Sequence, residues 1–382
     1  MGGFICGKFI GRYIVASRSS PVGAVISEEM FRELRRLFVE DDSWIPEHVM
    51  EFLRELGYEG PRPQRLEDIV VVRNPAEFNF GRASYEITEG CNYRCLHCYL
   101  GEKAGRELSF SDKKRVLGLI RESGIFWLQI TGGEPLASRD FIESYLFACS
   151  LGLLITISTN GSLLTKPDVS RILSAYPPYR VTISMYGATT SSYEALTQVP
   201  GSFRKFSEGL EWIKKSGIRT RLNIIVTRHN EGEIGAMKDW AESLGFEHYV
   251  FSNLSPTLEG SSHPLTIASQ SCEKTVENGR SPVSGLVETT KCMAGETFFH
   301  VNSAGRTSIC NVAREPSINL LERGIESFRQ LPGIAEQLLK PPSLCQDCKF
   351  ADVCVTCPPM LSLHRGNKVV PSSVCKRLSI IQ

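Results

Sequence analysis

No stretch of this chain stays apolar for long. Its 382 residues hold no window near the roughly 18 uninterrupted apolar residues that a membrane span needs, so no spanning helix is expected. The first fifteen residues, MGGFICGKFIGRYIV, lack the unbroken core of an export signal, because glycines, Lys8 and Arg12 interrupt them. Charge of either sign is not in excess: 43 lysines and arginines face 42 acids, for a formal net charge of +1. That balance argues against nucleic acid or an anionic membrane surface as partner. Cysteine, by contrast, is plentiful at 13. In a secreted protein so many would suggest disulfides. Without an export signal they point to metal in a reducing cytoplasm, and the odd count agrees. Apolar residues at 42% and charged ones at 22% suit a soluble globular protein, and the length suits two or three domains.

Three cysteines stand together in CNYRCLHC, where Cys91, Cys95 and Cys98 have C-x3-C-x2-C spacing. They follow an alternating run, residues 83–88, that predicts a strand. Soft sulfur ligands select zinc, copper(I) or iron–sulfur clusters. A closed structural zinc site wants four ligands, usually two C-x2-C pairs, and the nearest other thiol in sequence is Cys149. A 4Fe–4S cubane held by three thiolates leaves one iron open to something other than protein. A structural zinc loop, or three unrelated thiols, is the alternative.

Residues 1–80 carry only the lone Cys6. Segments 9–15 and 23–26 predict a hairpin turning at 17–21. Ser27 predicts an N-cap, with Met30, Leu34 and Leu37 at helical spacing behind it. A second helix is predicted over 46–56, presenting Val49, Phe52, Leu53 and Leu56. Such a small α+β unit would be winged-helix-like, and resembles the peptide-recognition domains of known peptide-modifying enzymes; the alternative is a plain cap. From 81 to 256, strands predicted at 83–88, 126–131, 153–158, 180–185, 221–226 and 248–251 alternate with amphipathic stretches at 111–121, 141–149, 167–173, 203–215 and 234–244. Six strands with intervening helices imply a parallel α/β sheet, with chemistry at the C-terminal strand ends. The motifs obey that rule. Cys91–Cys98 follow the first strand, Thr131-Gly132-Gly133-Glu134-Pro135 the second, and Ser158-Thr159-Asn160-Gly161 the third.

The cysteine spacing, with His97 at the aromatic position before the third cysteine, resembles the radical S-adenosylmethionine (radical SAM) superfamily signature. That resemblance implies a partial (β/α)6 barrel and a 4Fe–4S cluster on Cys91, Cys95 and Cys98. The open iron would chelate SAM, which is cleaved to a 5′-deoxyadenosyl radical that abstracts hydrogen from substrate. It further implies cofactor contacts from Tyr93, His97, Gly132, Gly133, Glu134, Ser158, Thr159, Asn160 and Ser184. An arginine that relatives often carry in an RGxxG-like segment, to pair with the SAM carboxylate, is missing from 196–201 here. Arg204, Arg221 or neutral donors could replace it.

The remaining array, residues 257–382, reads Cys292, twelve residues, Gly305, four residues, Cys310; then Cys345, Cys348, Cys354 and Cys357; then Cys375. This resembles the SPASM domain of radical SAM maturases, with Cys354 to Cys357 one residue short of the family spacing. Flanking segments 297–301 and 307–309 predict a hairpin over Ser303-Ala304-Gly305. By that resemblance a first auxiliary 4Fe–4S cluster takes Cys292, Cys310 and Cys357, and a second takes Cys345, Cys348, Cys354 and Cys375. Phe298 stands where some members place a further ligand, which leaves an open iron or a ligand such as Cys272 or His300. The family implies a three-cluster enzyme that draws electrons from ferredoxin or flavodoxin and oxidatively modifies a peptide side chain, with crosslinking foremost. Asn311 stands where sulfatase-type maturases have an acidic base, and an amide cannot accept that proton. Two alternatives are radical chemistry on a small molecule and a non-catalytic metal-binding scaffold.

Overall fold

The computed structural model describes residues 3–18, 20–40, 44–78, 80–103, 105–269, 292–340 and 357–364. The N-terminal unit is a four-stranded sheet in the order β3-β2-β1-β4. It comprises β1 (Phe4–Phe9), β2 (Arg12–Ser17), β3 (Gly23–Ile26) and β4 (Val70–Val72). The expected hairpin is β2–β3. The strand expected to begin at Phe9 is two strands, split where Ile10 and Gly11 take φ of 44° and 79°, the left-handed pair of a two-residue hairpin turn. Helix α1 (Glu28–Val39) is capped by Ser27, whose Oγ accepts from the Met30 N–H at 3.1 Å. It buries Phe31, Leu34 and Leu37, with Phe31 rather than Met30 completing the stripe. Helix α2 (Glu47–Glu55) buries Val49, Met50 and Leu53.

Alternation gives this sheet two apolar faces. Phe4, Cys6 and Val15 pack under the helices. Ile5, Phe9, Ile14 and Ala16 instead meet Phe126, Trp127, Leu154 and Tyr179, residues at or just before the starts of barrel strands. The unit therefore seals the N-terminal ends of those strands, opposite the end where the motifs lie. Cys6 is an inert member of its core, its thiol pushed up to about 12 by burial.

The barrel strands are β5 (Arg82–Thr88), β6 (Trp127–Gly132), β7 (Leu154–Thr159), β8 (Arg180–Met185), β9 (Thr220–Ile225) and β10 (Glu247–Phe251), all paired in parallel. Between them run α3 (Phe110–Glu122), α4 (Phe141–Ser150), α5 (Pro167–Ala175), α6 (Thr190–Thr197), α7 (Ser202–Ser216) and α8 (Ile234–Ser243). Only α6 was not anticipated. Tyr85, Leu128, Ile155, Val181 and Leu222 on the outer face join the helices in one core. Cys149 is a small residue within it.

The expected C-terminal hairpin is present as β11 (Phe298–Val301) and β12 (Arg306–Ser308). Unforeseen is that β11 pairs in parallel with β5. Together with β13 (Ile318–Asn319) this makes one nine-stranded sheet in the order β10-β9-β8-β7-β6-β5-β11-β12-β13. Helices α9 (Leu320–Arg323), α10 (Ser327–Leu338) and α11 (Pro358–Leu363) follow. Among the described residues no helix is long and apolar enough to cross a membrane.

Candidate cluster and cofactor site

Three strand-end loops are stitched into one unit. The Gly133 N–H donates to the Thr88 carbonyl at 3.0 Å, and the Glu134 N–H to the Gly90 carbonyl at 2.8 Å. Gly132 has φ of 146°, and a Cβ there would lie 2.2 Å from the Thr88 carbonyl oxygen. A Cβ on Gly133 would lie 2.3 Å from that of Gly90. Both glycines thus exist to let the β5 loop pass, and that loop leads straight into Cys91. On its other side the cysteine loop hangs from the end of α6, where Arg94 and Leu96 donate to the Thr197 and Leu196 carbonyls, each at 3.0 Å. The segment that lacks the expected arginine is therefore a backbone clamp for the cysteine loop.

Cys91, Cys95 and Cys98 are half-buried neighbours whose charges feel one another. Burial raises the Cys91 and Cys95 thiols, and Lys103 opposes that rise. Lys103 was not singled out from sequence, because a lone lysine five residues past the motif carries no signal. Its Nζ donates to the Tyr93 carbonyl at 3.3 Å. Burial would lower its ammonium pKa, but the three sulfurs hold it above its usual value. His97 lies against the Tyr186 ring, 5.0 Å between centroids, and burial then Lys103 bring it down to about 4. Its Nδ1 is buried without a partner. Tyr93 turns into the core, donating to the Ser202 carbonyl at 3.2 Å. Its N–H donates to Cys91 Sγ at 3.4 Å, and its phenol lies within electrostatic reach of Cys95.

The Glu134 carboxylate is fully buried and accepts three hydrogen bonds. Oε1 takes the Thr159 hydroxyl at 2.7 Å and the Leu136 N–H at 3.1 Å, and Oε2 takes the Asn160 N–H at 2.7 Å. Burial nonetheless lifts its pKa to about 7. The Asn160 amide in turn donates to Asn92 Oδ1 at 2.8 Å, inside the cysteine loop. Glu134, Thr159 and Asn160 lock the three loops together. Ser158 accepts from Gln129 Nε2 at 2.7 Å, and Ser184 lies beside Tyr186 at the end of β8.

A second set of cysteines gathers past the β11–β12 hairpin. Cys310 lies within electrostatic reach of Cys292, and Cys357 of both. The Ala313 N–H donates to Cys310 Sγ at 3.2 Å, a donor suited to thiolate. Cys272, Cys345, Cys348, Cys354 and Cys375 lie outside the described residues. Phe298 packs against the core. His300 is turned to the barrel, where its Nδ1 meets Ser84 Oγ at 2.8 Å and its Nε2 stands 3.7 Å from Glu86, beyond hydrogen-bond range. Burial lowers the pKa of that imidazole, and the nearby Glu86 carboxylate opposes the fall.

Glu86 joins the two cysteine sets. The Arg314 guanidinium forks onto it, with one bond of 2.8 Å, and Arg314 lies four residues beyond Cys310. The hydroxyl of Tyr99, the residue after Cys98, donates to the same carboxylate at 3.4 Å. Burial alone would raise Glu86, but His300 and the Arg314 fork more than reverse that and take it down to about 2. Among the described residues no three His, Cys, Asp or Glu side chains close on one point as ligands of a single ion would.

Residues 85–241 match the radical SAM superfamily. The chain is 25% identical to the AdoMet-dependent heme synthase of Methanosarcina barkeri, over 72% of this chain and 90% of that protein. It is 23% identical to the PqqA peptide cyclase of Bradyrhizobium diazoefficiens, over 70% and 78%. In fold it is similar to Streptococcus suis SuiB bound to S-adenosylmethionine, with a TM-score of 0.61 at 14% identity over 93% of this chain and 94% of that one. SuiB has also been solved with its precursor peptide SuiA.

Proposed function

From the premise that residues 85–241 are a radical SAM domain and the chain an enzyme of SAM radical chemistry, we propose that it oxidatively modifies a side chain of a ribosomally made peptide, most directly by crosslinking. The observation that carries this is the linkage of two cysteine sets through one buried carboxylate, Glu86, with Tyr99 of the first set and Arg314 of the second both on it. The peptide part is supported by relatives named for peptide chemistry.

The described cysteines are soft thiolate donors of the kind that the groups implied by the family take. Cys91, Cys95 and Cys98 would hold a 4Fe–4S cluster, with Lys103 balancing its charge. Cys292, Cys310 and Cys357 would hold a first auxiliary cluster, and Cys345, Cys348, Cys354 and Cys375 a second. When bound, the first cluster and SAM supply a 5′-deoxyadenosyl radical, and auxiliary clusters supply a one-electron acceptor. The chain itself fixes the cysteine loop through Gly133, Glu134 and Asn160. The inner strand face, with Ser158 and Ser184, receives cofactor and substrate. The N-terminal unit closes the far end of the barrel against water. A ferredoxin or flavodoxin would deliver the electron.

Anaerobic reconstitution should load about twelve irons, as three cubanes require, and yield 5′-deoxyadenosine with SAM and dithionite. Cys310→Ala should lose about four irons yet keep deoxyadenosine formation. Co-expression with a short peptide encoded beside this chain should lower that peptide's mass by two hydrogens. Zinc in place of iron, with no deoxyadenosine, would leave only a metal-binding scaffold.

A further inference from the structure

Two arginines on the inner wall of the barrel have no direct side-chain partner among the described residues, and the Glu247 carboxylate is the one acidic charge that acts on both. On β8 and β9, Val181, Ile183, Leu222 and Ile224 belong to the core under the helices. Alternation then turns Arg180, Thr182, Arg221 and Asn223 to the lumen. Register sets Thr182 beside Arg221 and Ser184 beside Asn223. Neither arginine side chain makes a hydrogen bond or ion pair among the described residues. Arg180 Nε, Thr182 Oγ1, Arg221 Nε and Asn223 Oδ1 are each buried without a partner, and Thr182 is only 4% exposed.

The nearby carboxylates are already engaged. Glu247, opposite Arg221 in register, is held by Arg219 at 2.7 Å. Glu86, on the first strand, is held by Arg314. Burial, and then repulsion from Arg221 and Arg219, brings Arg180 down to about 10. Two guanidiniums side by side in a half-buried wall are unfavourable unless an anion joins them, and a guanidinium fork matches a carboxylate.

We infer that Arg180 and Arg221, with Thr182, bind a carboxylate of the substrate within the lumen. The word substrate rests on the function proposed above; the anion site does not. Four residues separate Arg180 from Ser184, about 13 Å at roughly 3.3 Å per residue. A carboxylate anchored at Arg180 therefore leaves several bonds between itself and a carbon at the strand ends. The modified residue would itself be acidic, or lie near an acidic neighbour or a free C-terminus.

The test uses the full chain, reconstituted anaerobically, and ligand-observed NMR titrations with three probes: N-acetylglutamate amide, N-acetylglutamine amide and N-acetylglutamine with a free C-terminus. One acid should bind about tenfold or more tightly than the neutral amide, the worth of a charged hydrogen-bonded pair, and which acid does so distinguishes side chain from C-terminus. Arg180→Gln and Arg221→Gln should each erase that preference, while Arg32→Gln, on an exposed residue paired with Glu28 in the N-terminal unit, should leave it. Arg221→Lys should keep part of it, which separates lost charge from lost fold. Equal binding of acid and amide, or a preference surviving both glutamine variants, overturns the site. So does Arg221→Gln weakening SAM binding, read from the cluster's EPR signal, with acid preference intact, since the arginine would then serve the cofactor. Failure to form deoxyadenosine in the same preparation would instead sink the radical reading and leave the binding result standing.

Discussion

At the residue scale, two charges that no motif announces set the electrostatics of the site. Lys103 lies within reach of all three sulfurs of the first set, so it favours any added electron there. Lys103→Gln should therefore shift the midpoint potential of the reconstituted first cluster to more negative values, by on the order of 40 mV for about 1 kcal/mol of lost attraction, with iron content unchanged. Potentiometric EPR reads this directly. Glu86 works on the other side. Its carboxyl sits at about 2 in the folded chain against an ordinary 4.5, so the folded state binds fewer protons than the unfolded one between those values. Its contribution is present above about pH 4.5 and is lost as pH falls toward 2, up to about 3 kcal/mol. Glu86→Gln should be the less stable chain at pH 6, and urea titrations should show that gap closing as pH drops through 4. A gap independent of pH would mean that Glu86 contributes by packing alone.

At the element scale, the parallel strands and most of their helices were legible because each buries a strictly periodic face. Residues 180–185 were placed to the residue, and Phe141–Ser150 to within one. What was not legible depends on contacts between distant segments. Nothing local in Phe298–Val301 says that it will extend the barrel sheet from β5, since a parallel pairing across more than 200 residues leaves no trace in either strand. Helix α6 is short, and only part of it is buried, so its apolar period is weak. The family resemblance makes the TGGEP glycines cofactor contacts. The structure gives them the more demanding task of letting the β5 loop pass at contact distance. Gly133→Ala should consequently push the Gly90 carbonyl outward and displace Cys91. The chain should remain folded by circular dichroism but load the first cluster poorly, seen as a loss of roughly a third of the bound iron if three cubanes are present.

At the scale of the whole molecule, the N-terminal unit could be read from sequence either as a peptide-recognition domain or as a cap, and its position bears on both. It lies under the barrel, with β1 and β2 contributing Ile5, Phe9, Ile14 and Ala16 to a core shared with Phe126, Trp127, Leu154 and Tyr179. Arg18 also reaches the Cys149 carbonyl at 2.7 Å, and the Arg73 side chain the Ile125 carbonyl. A tethered domain would show few such links, and removing it would leave the barrel intact. Here the contact is a hydrophobic core, with Phe9 edge-on to both Phe126 and Trp127 at 6.1 and 5.7 Å. Phe9→Ala should cost about 3–4 kcal/mol and lower the melting temperature of the entire chain in a single calorimetric transition. Two separated transitions, with only the first moved by the substitution, would show that the unit folds apart from the barrel. Any peptide held on its outer surface would then be tethered to the barrel and not built onto its floor.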